Sequence, residues 1–137
     1  MIYTEENRGH IQSPRAGQIV EFVGMQFGNS TPTDIDGFIE KSNKAFVFFE
    51  LKYKDAEIPQ GQKLALMRVV DNLQIAGKQA VLFIARHEVE DPSEKVMAAD
   101  AKVTDIYYRA RWRSCDNRPL SEMMNRFLNW AIEKGGV

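Results

Sequence analysis

The segment that most constrains the fold is a continuous apolar run at residues 80–85. A strand that is exposed on one face alternates apolar and polar residues, whereas a run with no polar position is typical of a strand covered on both faces. We therefore expect this run to lie inside a sheet, with other elements packed on each side of it.

The segments before and after this run predict five strands and two helices. The strands are expected at 18–27, 35–40, 45–54, 80–85 and 103–113, and the helices at 62–76 and 120–133. In both helices apolar residues recur at three- and four-residue spacing. Gly77 and Gly135 suit the helix ends, and Ser121 is expected to cap the second helix. This order favours an α/β (α+β) fold, a central mixed β-sheet flanked by helices.

The length of 137 residues suits one domain over residues 1–137. Within it we expect an N-terminal arm at 1–17, a core of hairpin, helix and strand at 33–87, and a C-terminal strand and helix at 103–134. No segment has the ~18 apolar residues of a membrane span, and the first residues lack the apolar core of a signal peptide. A cytoplasmic location is the resulting expectation.

The charges and the metal-binding residue types exclude several functions. Lys and Arg number 18 and Asp and Glu number 19, so bulk charge does not hold a nucleic acid and any such site must be a local patch. Cys115 is the only cysteine and His10 and His87 are the only histidines. This excludes a thiolate zinc site within one chain and disfavours histidine-based catalysis. Metal ligands would be mostly carboxylates and carbonyls, which favour Mg²⁺ or Mn²⁺.

Side chains suited to catalysis concentrate at one predicted β-hairpin. Because side chains alternate along a strand, Glu50 and Lys52 share one face. The connector at 41–45 permits a register in which Asp36 lies directly opposite Glu50. Asp34 then lies opposite Lys52, whereas a slip of one residue would send Asp36 to the other face.

In that register two carboxylates stand with their Cβ atoms ~5 Å apart. They repel each other, which raises one pKa, and a divalent cation held by Asp36, Glu50 and the carbonyl of Leu51 would remove the repulsion. Such a cation activates water and neutralises charge at a phosphate, while Lys52 would orient or deprotonate the attacking water. The alternative is a surface hairpin whose charged residues are only solvated.

This hairpin resembles the PD-(D/E)XK nuclease superfamily, which includes restriction enzymes, phage exonucleases, Holliday-junction resolvases and virus-type replication-repair nucleases. The Pro-Asp motif of the superfamily matches residues 32–36 (PTDID), and its (D/E)XK motif matches residues 50–52 (ELK). Gln62 stands where similar nucleases often carry a glutamine that reaches the metal or the DNA. The resemblance covers residues 33–87.

The resemblance implies a restriction-endonuclease-like core and Mg²⁺-dependent hydrolysis of DNA phosphodiester bonds, with Mn²⁺ as a substitute. The catalytic residues that it implies are Asp36, Glu50, Lys52 and Gln62. Asp34 is a second candidate for the role of Asp36. Glu21 is a weaker candidate for the glutamate that many members carry on an N-terminal helix, since the early segment is strand-like.

A basic stripe is the second candidate feature for nucleic-acid binding. Arg109, Arg111 and Arg113 alternate along the predicted strand 103–113, and guanidiniums ~6.5–7 Å apart on one face would track successive phosphates. Positive charge that protects an edge strand from pairing explains the pattern equally well.

Three functions therefore stay open: a DNA nuclease, a nuclease that acts on RNA, and a non-catalytic nucleic-acid-binding or assembly module with the same fold. The two nucleases would depend on a metal ion, whereas the module would bind nucleic acid without one. A chain of this size offers little surface to enclose a duplex, so a homodimer would suit symmetric cutting.

Overall fold

The structure is a computed structural model, and it describes residues 21–135. These residues fall into two compact units that divide after Pro32. The second unit contains every helix and strand of the described residues: β1 (Gly37–Lys41), β2 (Ala45–Tyr53), α1 (Gln60–Ile75), β3 (Gln79–His87), a 3₁₀ turn (Ala98–Asp100), β4 (Lys102–Tyr108), β5 (Arg111–Pro119), α2 (Leu120–Trp130) and a π-helical turn (Ala131–Gly135).

The five strands form one mixed sheet in which spatial order follows chain order, β1-β2-β3-β4-β5. β2 and β3 are parallel, and the other neighbouring pairs are antiparallel. Parallel neighbours need a crossover connection, which α1 supplies. A mixed sheet flanked by two helices confirms the predicted fold class.

Each face of the sheet packs against one helix, and the two sets of buried side chains define an α1 face and an α2 face. The α1 face includes Phe48, Leu66, Val70, Leu82, Ile84 and Tyr107. The α2 face includes Val47, Val81, Phe83, Val103 and Leu120. Residues 80–85 are all buried and alternate between the two faces, so the expectation drawn from this apolar run is confirmed.

The register of the first hairpin agrees with the prediction. Gly37 lies opposite Phe49 and Phe38 opposite Phe48, which places Asp36 and Glu50 at the next facing positions. β1 begins at Gly37 rather than at residue 35. A Cβ atom at Gly37 would overlap the ring of Phe49, so glycine lets that ring lie against the neighbouring strand.

The predicted strand at 103–113 is wrong in its extent, because the chain turns back within it. Arg109 and Ala110 have φ of 52° and 61° and form the two-residue turn between β4 and β5. Left-handed turn positions are usually marked by Gly, Asn or Asp, and none of these stands here. Arg109 therefore lies in the turn, and the single-strand stripe of three arginines does not exist.

Arg111 and Arg113 belong to β5 and lie on the α2 face. Arg113 is opposite Ile106, which packs against the α2-face core, whereas Trp112 is opposite Tyr107 on the α1 face. The two arginines are exposed. They lie on the opposite side of the sheet from the α1 face, to which Phe48 belongs.

Three smaller expectations also need correction. Of the predicted strand at 18–27, residues 18–20 lie outside the described residues and 21–27 form no strand beyond one isolated bridge between Phe27 and Ser30. The second helix, α2, ends at Trp130 rather than at residue 133, and a π-helical turn follows it. Its N-cap position is Pro119 rather than Ser121, and no side chain caps it.

Among residues 21–135, neither helix is both long and apolar enough to cross a lipid bilayer.

Candidate functional site

Asp36, Glu50 and Gln62 meet at the end of β2 that lies nearest the start of α1. Asp36 Oδ2 accepts a hydrogen bond of 2.7 Å from the backbone N–H of Leu51. Gln62 Nε2 donates to Glu50 Oε1 at 3.0 Å and to the backbone carbonyl of Asp34 at 3.1 Å. The amide of Gln62 thus joins α1 both to β2 and to the segment before β1.

Glu50 is the buried charged side chain of this site. Its exposed fraction is 0%, and it is the one buried acidic or basic residue in the described part of the chain. Its Oε2 atom accepts no hydrogen bond from a donor among residues 21–135. A buried carboxylate oxygen without a partner is costly unless the group is protonated or a cation binds it.

The pKa of Glu50 is raised from its ordinary value of 4.5 to about 8. Burial is the largest cause, because a low-dielectric environment disfavours the charged form, and the neighbouring carboxyl group of Asp36 is the next. The positive charge of Lys52 acts in the opposite direction. In the protein alone, Glu50 therefore holds a proton at neutral pH.

The local sequence explains why a carboxylate is buried here. Alternation along β2 sends Phe46, Phe48 and Glu50 to the α1 face, and the parallel strand β3 presents Ile84 beside Glu50. The pairing with β3 on one side, the segment before β1 on the other and the first turn of α1 then surround the carboxyl group. Lys52, two residues further along β2, is only partly exposed and stays on the same face.

The residues present fit a hard divalent cation such as Mg²⁺ or Mn²⁺. Asp36 and Glu50 supply two carboxylates, and the backbone of Leu51 supplies a third oxygen. The N–H of Leu51 points toward Asp36, and the C=O of a strand residue leaves on the same side as its N–H. Within residues 21–135 no three His, Cys, Asp or Glu side chains cluster, so this donor set is two side chains and a carbonyl.

The two aspartates that compete for the metal-ligand role are placed differently. The carboxyl group of Asp36 is the one that raises the pKa of Glu50. Asp34 accepts the hydrogen bond of Gln62 through its backbone carbonyl, and both aspartates are exposed. Glu21, the remaining acidic candidate, is exposed, lies in the unit before residue 33 and is not part of a helix.

A cleft on the α1 face adds residues outside the proposed catalytic set. It has a volume of about 370 Å³, and its walls include Lys63, Ile84, Arg86, Asp105 and Trp112. Arg86 is held in place because its Nη1 atom donates to the carbonyls of Lys54 and Ala56 at 2.9 and 2.7 Å. The alternation of Trp112 between two arginines was the one available signal, but the wrong strand bounds concealed it.

Comparison with protein-family models, with curated proteins and with solved structures finds no match for this chain. The interpretation of the site therefore depends on its own geometry and on the resemblance of its two short motifs.

Proposed function

We propose that this protein is a metal-dependent deoxyribonuclease that hydrolyses DNA phosphodiester bonds. Asp36, Glu50 and the carbonyl of Leu51 would hold Mg²⁺ or Mn²⁺. The observation that carries the proposal is the buried Glu50, whose Oε2 accepts no hydrogen bond from a donor within the described residues and whose carboxyl group is hydrogen-bonded to that of Asp36. Strongly perturbed carboxyl groups of this kind concentrate at functional sites.

Each residue of the site has a separate part in the proposed mechanism. A cation held by these residues would supply Lewis-acid chemistry at the phosphate and would lower the pKa of its bound water. Gln62 fixes one oxygen of Glu50 by its hydrogen bond and leaves the other oxygen for the cation. The Leu51 N–H fixes Asp36, and Lys52 places a positive charge beside Glu50, where it orients the water or offsets charge on the phosphate.

DNA as the substrate, a cytoplasmic location and a homodimer for symmetric cutting are parts of this proposal. The arginines of β5 give it less support than the sequence suggested, since Arg111 and Arg113 lie on the face opposite Glu50. Their contact with phosphates stays a prediction, as does that of Arg109. Competition between RNA and DNA of the same sequence distinguishes the two nuclease functions.

Cleavage of linear, branched and single-stranded DNA in Mg²⁺ or Mn²⁺ tests the proposal. We expect Glu50→Gln and Lys52→Ala to lose cleavage, whereas Glu94→Gln, which changes an exposed acid of a loop, serves as the matched control. Calorimetry with Mn²⁺ should show uptake that Asp36→Asn abolishes. Unchanged cleavage by Glu50→Gln would contradict the proposal, and metal-independent binding without cleavage would favour the non-catalytic module.

A further inference from the structure

The cleft on the α1 face begins beside the carboxylate site. Ile84 and Arg86 on β3 are the register partners of Glu50 and Lys52 on β2, and neighbouring strands lie ~4.8 Å apart. Lys63 follows Gln62 on α1. One wall of the cleft therefore lies one strand away from the proposed metal ligands, on the same side of the sheet.

The charges of the cleft balance. Lys63 and Arg86 contribute two positive charges, and Glu57 and Asp105 contribute two negative charges. A phosphate site needs an excess of positive charge, and a hydrocarbon site needs apolar walls throughout. This cleft satisfies neither requirement.

The walls are suited to a flat heteroaromatic group. The ring centroids of Trp112 and Tyr107 are 5.1 Å apart, and Lys63 Nζ lies 4.8 Å from the ring centroid of Trp112. Ile58 and Ile84 add apolar surface. Asp105 supplies an acceptor of the type that bonds the exocyclic amine of cytosine. Trp112 supplies a ring face on which a base stacks once the flexible side chain of Lys63, which covers that face in the structure, swings aside.

We propose that this cleft binds one unpaired nucleobase of the DNA whose phosphate is cleaved at the carboxylate site. The inference rests on the proposed nuclease function. A base reaches the cleft only after it leaves the double-helical stack. The substrate class is therefore DNA with an unpaired nucleotide beside the cut, such as a single strand, a frayed end or a branch, rather than an intact duplex.

The chain contains two tryptophans, Trp112 and Trp130, so the stacking of a base on Trp112 can be measured by fluorescence. In the Trp130→Phe protein, Trp112 is the only indole, and stacking of a base on it should quench its fluorescence. The probes are a single-stranded oligodeoxycytidine and a fully paired hairpin duplex of equal length, both in EDTA so that no hydrolysis occurs. We expect saturable quenching by the single strand and none by the duplex.

Two variants extend the test through the anisotropy of a labelled oligodeoxycytidine. Trp112→Ala should weaken binding about ten-fold, the loss typical of a base-stacking side chain. Because Trp112 also packs on Tyr107, Asp105→Asn is the second variant. It keeps the shape of the cleft, and we expect it to weaken binding of oligodeoxycytidine more than that of oligodeoxythymidine, which has no exocyclic amine.

The outcomes separate this inference from the proposed function. No quenching by the single strand, or equal quenching by the duplex, overturns the base cleft, and cleavage of DNA in the Mg²⁺ assay would then leave the nuclease intact. Quenching without cleavage in that assay supports a nucleotide-binding cleft and contradicts the nuclease. Cleavage of an intact duplex as fast as of a single strand overturns the substrate class.

Discussion

The α1 and α2 faces of the sheet differ in how far their acidic and basic side chains are buried. On the α1 face the carboxyl group of Glu50 is fully buried, and one of its oxygens has no partner among the described residues. On the α2 face a groove of about 640 Å³ has an apolar floor that includes Phe83 and Phe127. Its rim carries exposed ion pairs, among them Arg118 with Glu122 at 3.0 Å. The ion pairs beside the groove on the α2 face are solvated, whereas the α1 face contains a desolvated carboxyl group, that of Glu50.

This difference matters because the two arrangements have different energetic consequences. Exposed ion pairs change stability little, whereas a buried acid without a compensating charge lowers the stability of the fold. Buried acids of this kind are often found at catalytic or binding sites. The comparison thus favours the α1 face as the functional face, and the predictions below test it.

The largest expected effect is the pH dependence of stability that comes from Glu50. Its pKa is about 8 in the folded protein against 4.5 as the ordinary value, so between these pH values the folded state binds more protons than the unfolded state. The free energy of unfolding therefore falls as pH rises through this window, by on the order of 5 kcal/mol. Denaturant titration in EDTA from pH 4 to pH 9 measures it.

Glu50→Gln removes this ionisation, so its free energy of unfolding should lack the fall between pH 4.5 and 8. Glu94→Gln, which changes an exposed acid, should keep the wild-type profile. If the wild type and Glu50→Gln show the same profile, Glu50 is already ionised and the difference between the two faces is wrong.

The second-largest expected effect is the pH dependence of the affinity for a divalent cation. A cation that binds Glu50 must displace its proton below pH 8. We expect the apparent affinity for Mn²⁺ to rise about ten-fold for each pH unit between pH 6 and pH 8, because one proton is released per ion bound. Calorimetry in two buffers with different ionisation enthalpies measures that proton, and pH-independent uptake would place the ion elsewhere.

A pair of neighbouring tyrosines compares the two faces directly. Tyr107 on the α1 face donates to the carboxylate of Asp71 at 2.8 Å, and burial together with that carboxylate raises its pKa to about 12. Tyr108 on the α2 face donates to the neutral amide oxygen of Gln79 at 2.7 Å and accepts a hydrogen bond of 3.0 Å from Nε of Arg109, an exposed residue whose contact water screens. Hydrogen bonds to charged groups contribute more, so Tyr107→Phe should cost about 2 kcal/mol and Tyr108→Phe about 1 kcal/mol in thermal or denaturant unfolding. The reverse order would contradict the assignment of charge to the α1 face.

The sequence allowed part of this arrangement to be predicted, for identifiable physical reasons. The facing positions of Asp36 and Glu50 followed from strand alternation and a short connector, since a hairpin register has only two parities. The contact of Gln62 with Glu50 is local to one strand-helix connection. The cleft was not predictable in this way, because Trp112 and Lys63 come together only through the packing of β5 and α1.

The turn between β4 and β5 is a second feature that the local sequence does not predict. Left-handed backbone at Arg109 and Ala110 has no residue that favours it, so the chain reversal is imposed by pairing of the flanking strands rather than by local preference. Missing this turn placed the arginines on one long strand. On one long strand Trp112 would share a face with Tyr108, whereas with the turn in place it lies opposite Tyr107 and belongs to the α1 face.

The smallest effect is expected from the ion pairs on the α2 face. Glu122 accepts from Arg118 at 3.0 Å and lies 3.7 Å from Arg126, and all three side chains are at least 40% exposed. Water and salt screen such pairs, so Glu122→Gln should lower the free energy of unfolding by less than ~1 kcal/mol, and 1 M salt should remove most of that difference. A salt-resistant loss as large as that of Tyr107→Phe would mean that charge on the α2 face is desolvated too, and the distinction between the two faces would then no longer identify the functional one.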